Sequence, residues 1–465
     1  QQAEKLMMNK AQTLLRDSKS ARWLVLLLIA ATMYAAYFFA EVFPPISPFI
    51  RDSLLGWSDA EYGSYSGAYS LLCVWGGLIV CGALLDKWGT RVTGTIFVAS
   101  MLAGSLIVLY AVSDGFNTGS GAIYRILSSW FPKSKPSVIL AVAGYSIFGL
   151  GAEIAGVAVT KSIAKWFRGK EVATAMSLQL SLARVGSASA YWIIPFLLPK
   201  GASDISLTFG QIAWPVQFAL FLLCVGLLTF LIFCLMDNKL DKQEAYAAEK
   251  DPEDEFHFSD VWRILTNKYF IMIALLCVFF YCCVYGFDKF AIMMLSDKFK
   301  IAPDVASYMM SLLPFGAMLF TPVFGTICDF KGKGTKLMIL GSFIVLFVHC
   351  LFAFGPEQPF YGFAAITILG IGFSLVPAAM WPTVPKIIPQ SKMGTAISLI
   401  YWVQNIGLWG VPIIAGKVLQ ATHRNYLFFE FIFITLGLLA ITTSFILSRS
   451  DPEHKYGLDL PNKKK

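Results

Sequence analysis

The chain has 465 residues, 57% of them hydrophobic and 14% charged, with a mean hydropathy of +0.64. A soluble domain is about 25% charged and about 45–50% apolar, so this composition excludes an ordinary water-soluble protein and points to one that crosses a membrane many times. The formal net charge of +8 raises nucleic acid as a partner, but the placement of the basic residues argues against it.

Apolar runs of about 20 residues recur down the whole length. They predict twelve spans, 21–42, 61–84, 91–112, 137–163, 171–198, 211–236, 269–294, 303–327, 335–355, 360–384, 394–420 and 426–448. The first is too long for the apolar part of a signal peptide and is followed by Phe43-Pro44-Pro45 rather than an Ala-x-Ala site, so a permanent span is expected. Between the third and fourth spans, Ile123 to Phe131 can lie along the outer interface as an amphipathic helix. After the sixth span the chain turns charged, with Asp237, Glu244, Glu249, Asp251, Glu253, Asp254 and Glu255. A cytoplasmic linker over 237–268 is expected there, with a short surface helix over Lys242–Lys250, dividing a bundle at 21–236 from one at 269–448. Tails at 1–20 and 449–465 complete the chain.

An even number of spans puts both termini on one side. Of the 37 Lys and Arg residues, 26 fall in segments on that side and 9 on the other, with Arg184 and Lys289 inside spans. The positive-inside rule then makes the terminal side cytoplasmic and accounts for the net charge through the lipid bilayer, without nucleic acid.

The two halves repeat a loop pattern. Gly82-Ala-Leu-Leu-Asp86-Lys-Trp-Gly89-Thr-Arg91 follows the second span, and Gly325-Thr-Ile-Cys-Asp329-Phe-Lys-Gly332-Lys333 follows the eighth. Glycine lets a helix end approach its neighbour, while Asp and the following base can pair across the loop, a latch that forms in one helix arrangement and breaks in another. Asp86, Arg91 and Asp329 are the gating candidates here. On this pattern the chain resembles the major facilitator superfamily, which implies an all-α membrane protein of twelve transmembrane helices in two pseudo-symmetric six-helix bundles around a central cavity, working by alternating access.

Ionisable residues within spans cost at least a few kcal/mol unless paired or wet, and are functional candidates by default. Glu153 and Arg184 lie in the fourth and fifth spans, joined by the basic turn Lys165-Trp166-Phe167-Arg168-Gly169-Lys170. Each is roughly 23 Å from that turn along its helix, so the two are level. Gly149, Gly151, Gly156, Gln179, Ser181 and Ser187 around them suit a wet cavity, where a zwitterion could exchange partners with both charges; a buried salt bridge fixing helix register is the alternative. Glu41 and the adjacent Asp288 and Lys289 fall about 28–33 Å along the first and seventh helices, near the outer end. They are candidates for an outer gate or for charges that merely reach the interface, and as neighbours Asp288 and Lys289 are not expected to face the cavity squarely together. Tyr34, Tyr37, Tyr62, Tyr65, Tyr69, Tyr281, Tyr285, Trp381, Tyr401 and Trp402 are possible cavity aromatics. Mid-span Gln404 and Asn405 need partners that lipid does not supply, and Pro377, Pro382 and Pro385 are expected to break the tenth helix.

Longer segments, among them Phe148 to Glu171, Leu178 to Ser187, Leu71 to Arg91 and Phe373 to Lys417, are similar to the lysosomal dipeptide uniporter branch of the superfamily. That resemblance implies short peptides, mainly dipeptides, as substrate, with Glu153 and Arg184 contacting the peptide termini and Tyr37, Trp381 and Asn405 lining the cavity. Gln179, Tyr281 and Gln404 complete the expected substrate-binding set. It further implies a glycosylated accessory subunit, although the outer segments carry no Asn-x-Ser/Thr acceptor. A lysosomal or a bacterial inner membrane is expected, with transport as uniport or coupled to protons.

Other readings are a carrier of another organic anion or zwitterion, or a receptor using the fold without transport. An enzyme is not expected: His257, His349, His423 and His454 are scattered, and no nucleophile–base constellation or phosphate loop is present. Eight of the nine cysteines lie in apolar spans and Cys328 stands beside Asp329, which reads as small buried hydrophobes rather than a metal site. No cofactor or metal is called for.

Overall fold

A computed structural model describes residues 14–168, 170–199, 206–245, 258–389, 393–451 and 456–461. Within them lie twelve helical spans long and apolar enough to cross a membrane: α1 (Lys19–Ile50), α2 (Asp59–Gly82), α3 (Lys87–Val112), α4 (Pro136–Trp166), α5 (Thr174–Leu197), α6 (Phe209–Gln243), α7 (Lys268–Asp297), α8 (Pro303–Lys331), α9 (Gly334–Phe354), α10 (Pro359–Ile387), α11 (Thr395–Ala421) and α12 (Tyr426–Ser450). All twelve expected spans are present, and no strand occurs among the described residues.

Local chemistry sets several boundaries. Ser58 and Glu61 form a reciprocal capping box at the start of α2, with the Ser58 hydroxyl accepting from the Glu61 N–H at 3.2 Å and the Glu61 carboxylate accepting from the Ser58 N–H at 2.9 Å. The last glycine of each repeated loop takes left-handed backbone, Gly89 at φ +79° and Gly332 at φ +71°, so it makes the turn into the next helix. The close approach expected of the first glycine is not made: a Cβ on Gly82 or Gly325 would meet nothing within 4 Å.

Two departures follow from tertiary contacts. The sixth helix runs on to Ala245 instead of yielding to a linker at Asp237. Asp237 and Leu240, one turn apart, are both buried, and Asp237 accepts from Lys165 Nζ at 2.9 Å and Trp166 Nε1 at 2.8 Å. A charged stretch with such a face continues the helix. Residues 246–250, part of the expected surface helix, lie outside the described residues. In the tenth helix, Pro377 sits inside continuous helix, and the break comes at the 3₁₀ turn Trp381–Thr383.

Helices approach closely through small residues, as membrane bundles require in the absence of a hydrophobic drive between them. A Cβ on Gly104 would lie 2.5 Å from the Gly144 carbonyl, and one on Gly67 would lie 2.4 Å from the Trp409 carbonyl. The second contact joins α2 to α11 across the two halves. Other contacts also cross between the halves: Trp402 Nε1 donates to the Val74 carbonyl at 2.9 Å, Trp192 Nε1 to Ser311 Oγ at 2.9 Å, and Tyr62 OH to the Lys289 carbonyl at 2.7 Å. The chain ends share one face of the molecule: the Leu15 N–H donates to Gln243 Oε1 at 2.8 Å, and the Lys333 N–H to the Asp459 carbonyl at 2.8 Å. That end is the terminal face, and the opposite end, carrying the Ala122–Trp130 helix, is the far face.

Candidate functional site

Near the middle of the bundle, α4 lies so close to α2 that a Cβ on Gly149 would fall 2.0 Å from the Tyr69 carbonyl oxygen. This contact sets Tyr69 beside Glu153, one helical turn on, and Tyr69 OH donates to Glu153 Oε1 at 3.0 Å. Gly151 packs in the same way, its Cβ position 2.7 Å from the Phe97 carbonyl. The glycines beside Glu153 therefore serve helix contact, and the wet lining expected of Gly149 and Gly151 is not what they provide.

Arg184 stands on α5, held against α1 where a Cβ on Gly186 would meet the Tyr34 carbonyl at 2.4 Å. The sequence placed Glu153 and Arg184 level and left open whether they pair. They do not: among the described residues neither forms an ion pair, and both are half-buried. Tyr37 lies within electrostatic reach of both charges and of Tyr285 and Tyr401, so side chains from α1, α4, α5, α7 and α11 converge here. Tyr281 accepts from Trp381 Nε1 at 3.1 Å and stacks on Tyr285 with centroids 5.8 Å apart, while Trp381 lies 5.4 Å from the Tyr401 ring.

Three expected site residues sit differently. Gln404 and Asn405 are 8% and 2% exposed. Gln404 Oε1 takes a long contact of 3.6 Å from Cys277 Sγ, and Asn405 Nδ2 donates back to the Tyr401 carbonyl at 3.0 Å, so both are packed against protein and it is Tyr401 that is open. Gln179 precedes Arg184 by five positions, about 140° around the helix, and does not share its face.

At the far face, α1, α5 and α7 bring four side chains together. Lys289 Nζ lies 2.7 Å from Glu41 Oε2 and 3.6 Å from Asp288 Oδ2. Tyr191 OH is 2.6 Å from Asp288 Oδ1 and 3.1 Å from Glu41 Oε2. Asp288 and Lys289 thus enter one network despite being sequence neighbours, because Tyr191 and Glu41 meet them from the other half. Beside it, the left-handed turn at His423 and Arg424 (φ +52° and +60°) swings Arg424 onto Asp59 at 2.7 Å and Asp297 at 3.1 Å. Burial works against the Arg424 charge, but the hydrogen bonds it donates to Asp59 and the charges of Asp59 and Asp297 hold the guanidinium above its ordinary range. Tyr191, Asp59, Asp297 and Arg424 were not singled out from sequence. A Tyr in an apolar span and charges at helix ends carry no local mark of a partner 97 or more residues away.

At the terminal face, Arg91 pairs with Asp241 at 2.8 Å and Asp237 at 3.7 Å, and Lys165 joins both carboxylates. The base of the first repeat is thus answered by the extended α6; the side chain of Asp86 lies outside the described residues. In the second repeat, the turn after Asp329 is held by the chain end. The Asp459 carboxylate accepts from Thr335 N–H at 2.9 Å and Thr335 Oγ1 at 2.7 Å, and Lys386 Nζ donates to the Leu460 carbonyl at 2.8 Å. No cluster of His, Cys, Asp and Glu suited to a metal occurs among the described residues.

The profile of the Major Facilitator Superfamily matches residues 26–412 and 283–464. The chain is 28% identical over 398 residues to the lysosomal dipeptide transporter MFSD1 of Homo sapiens, covering 84% of this chain and 77% of that protein. It is 28% identical over 405 residues to the protein of the same name from Danio rerio, covering 86% and 80%. A solved bacterial homologue of the human lysosomal transporter Spinster, inward-facing and occupied, shares the fold with a TM-score of 0.67 at 15% identity, over 93% of this chain and 98% of that one.

Proposed function

This chain belongs to the Major Facilitator Superfamily, and we propose that, as a transporter of that fold, it carries short peptides, mainly dipeptides, through the space between Glu153 and Arg184. The observation that carries this reading is that opposite charges near mid-membrane are left without ionic partners. Charges in a span are costly unless something meets them, and a zwitterion with an ammonium at one end and a carboxylate at the other meets both. Tyr69 fixes the Glu153 carboxylate and leaves its second oxygen for an ammonium. Arg184 offers a fork of donors that matches a carboxylate. Tyr37, Tyr281, Tyr285, Trp381 and Tyr401 supply apolar walls with polar rims, which tolerate varied side chains.

Alternating access follows from the two-bundle fold. We read the clusters of Glu41 with Asp288 and Lys289, and of Arg424 with Asp59, as the closed gate of the far face, since each joins residues from both halves. On the terminal face we read the repeated loops as the opposing gate. The positive-inside bias makes the terminal face cytoplasmic. The likeness to lysosomal dipeptide transporters supports the substrate class.

Counterflow of a labelled dipeptide in proteoliposomes tests the reading. Unlabelled dipeptide is expected to drive uptake, while its N-acetylated and C-amidated forms are expected to fail. Equal counterflow by the acetylated form would instead identify a carrier of carboxylates that relies on Arg184 alone, and absence of any flux would leave a receptor.

A further inference from the structure

We propose that His349 and Glu430 are positioning residues for the far-face gate: together they hold a widened turn in α7, and that turn aims Lys289 at Glu41. The inference rests on reading the far-face cluster as a gate and is independent of the identity of the substrate.

The seventh span is not one regular helix. It runs as α-helix over Lys268–Tyr281 and again over Phe287–Asp297, with a π turn over Cys282–Gly286 between them. Hydrogen bonds in such a turn join residues five apart instead of four, so it holds about one residue more than a turn of α-helix. That residue takes about 100° off the rotation of everything after it.

The consequence falls on the gate. Lys289 follows Tyr281 by eight residues, which on a regular helix would set it about 80° away around the axis, with Asp288 about 20° away on the other side. With the wide turn, Lys289 comes to within about 20° of the Tyr281 face and Asp288 moves to its flank, about 120° away. The contacts agree. Lys289 Nζ meets Glu41 Oε2 across the halves at 2.7 Å, while Asp288 Oδ1 is met by Tyr191. A regular α7 would instead aim the Asp288 carboxylate at Glu41, setting like charges together where the gate closes.

The cause of the turn lies outside its own sequence. Cys282-Cys283-Val284-Tyr285-Gly286 contains no proline, and Gly286 has ordinary helical backbone at φ −68° and ψ −39°. His349, on α9, donates from Nε2 to the Cys283 carbonyl at 3.0 Å, and its Nδ1 lies 2.7 Å from Glu430 Oε2 on α12. A side chain that draws a carbonyl out of the i→i−4 ladder is one of the few causes of such a departure. The imidazole is further fixed edge-on to Phe287, the first residue after the turn, and stacked on Phe433, each with centroids 5.2 Å apart. Because a carbonyl only accepts, Nε2 carries a hydrogen whichever of Nδ1 and Oε2 holds the one between them.

Both side chains of the pair are fully buried. Among the described residues Glu430 makes no other side-chain hydrogen bond, its Oε1 being buried without a partner. Two apolar side chains would join α9 to α12 at lower cost. What the pair adds is the bond to Cys283.

The test removes the pair and reads the gate without any peptide. His349→Leu combined with Glu430→Leu takes away both polar groups at once, so neither is left buried alone, and α7 is free to become regular. Spin labels carried on an introduced amino acid at positions 129 and 358, exposed far-face positions in different halves, report the separation of the halves in lipid nanodiscs by pulsed dipolar spectroscopy. The ratio of closed to open populations is expected to fall by about tenfold or more relative to the unaltered chain, the equivalent of one charge-assisted hydrogen bond across the gate, while the melting temperature is held or raised. Glu430→Gln is expected to retain the unaltered ratio, since its amide can donate to Nδ1 and leave the Nε2 hydrogen for Cys283. An unchanged ratio in the double variant overturns the proposal and leaves the gate reading standing, as does a Glu430→Gln ratio that falls as far as the double variant's. Failure of the double variant to fold overturns it too, because the pair would then hold the bundle rather than the gate. A single fixed separation in every protein removes the gate reading, and the proposal with it.

Discussion

Replacing Arg184 with Gln separates substrate binding from stability. Arg184 has no ion-pair partner among the described residues and is half-buried, so its removal strands no opposite charge. The change in apparent melting temperature is expected to stay within about 2 °C, the scale of a surface substitution. Binding behaves differently. No internal salt bridge must break before a peptide carboxylate arrives, so the full value of a charge-assisted hydrogen bond, about 1.5–3 kcal/mol, is available to the substrate. Its loss raises the KM of counterflow by about 10- to 150-fold, at tenfold per 1.4 kcal/mol. Arg184→Lys keeps the charge but not the fork and is expected to fall between. The assay is dipeptide counterflow in proteoliposomes over a range of substrate concentrations, paired with a thermal ramp of the purified protein. A KM shift below about 3-fold, or a large fall in melting temperature without one, would refute the argument that Arg184 waits for a carboxylate.

Arg424→Met leaves Asp59, 4% exposed, without its partner and is expected to cost about 3–5 kcal/mol, seen as a lowered melting temperature. Because the folded state holds the Arg424 guanidinium above its ordinary range, this contribution is complete below the unfolded value and is lost only as pH rises toward the folded one. The melting-temperature difference between the two proteins is therefore expected to stay constant up to about pH 10. Gly149→Ala puts a Cβ 2.0 Å from the Tyr69 carbonyl; overpacking of about 1–3 kcal/mol and displacement of Tyr69 from Glu153 are expected. Gly82→Ala, with nothing within 4 Å, should be neutral or stabilise by about 0.5–1 kcal/mol, and the two melting curves together check the contrast. Asp459→Asn weakens the bonds to Thr335 and is expected to speed amide exchange at residues 333–337 relative to the rest of α9, read by hydrogen exchange.

Much of the fold is legible in the sequence because the bilayer imposes a one-dimensional rule. Spans such as Gly334–Phe354 and Tyr426–Ser450 differ by only a few residues from the expected ones, since twenty apolar residues have few ways to satisfy their backbone in lipid other than a helix. The exception at Asp237 is instructive. Local composition there reads as a solvated linker, but Lys165, Trp166 and Arg91 from other helices pair with its face and carry the helix onward.

The sequence by itself determined the twelve helices, the repeat between the halves and the rarity of charge within spans, because each is a property of adjacent residues and of their cost in hydrocarbon. Tertiary structure decided which charges meet. Glu153 and Arg184, level on consecutive helices, stay apart, whereas Glu41 and Lys289, in different halves, lie 2.7 Å from each other. The reason is geometric. The direction in which a side chain leaves its helix depends on how glycine contacts such as Gly149 against Tyr69 and Gly186 against Tyr34 rotate and seat that helix against its neighbours, and those contacts join residues far apart in the chain.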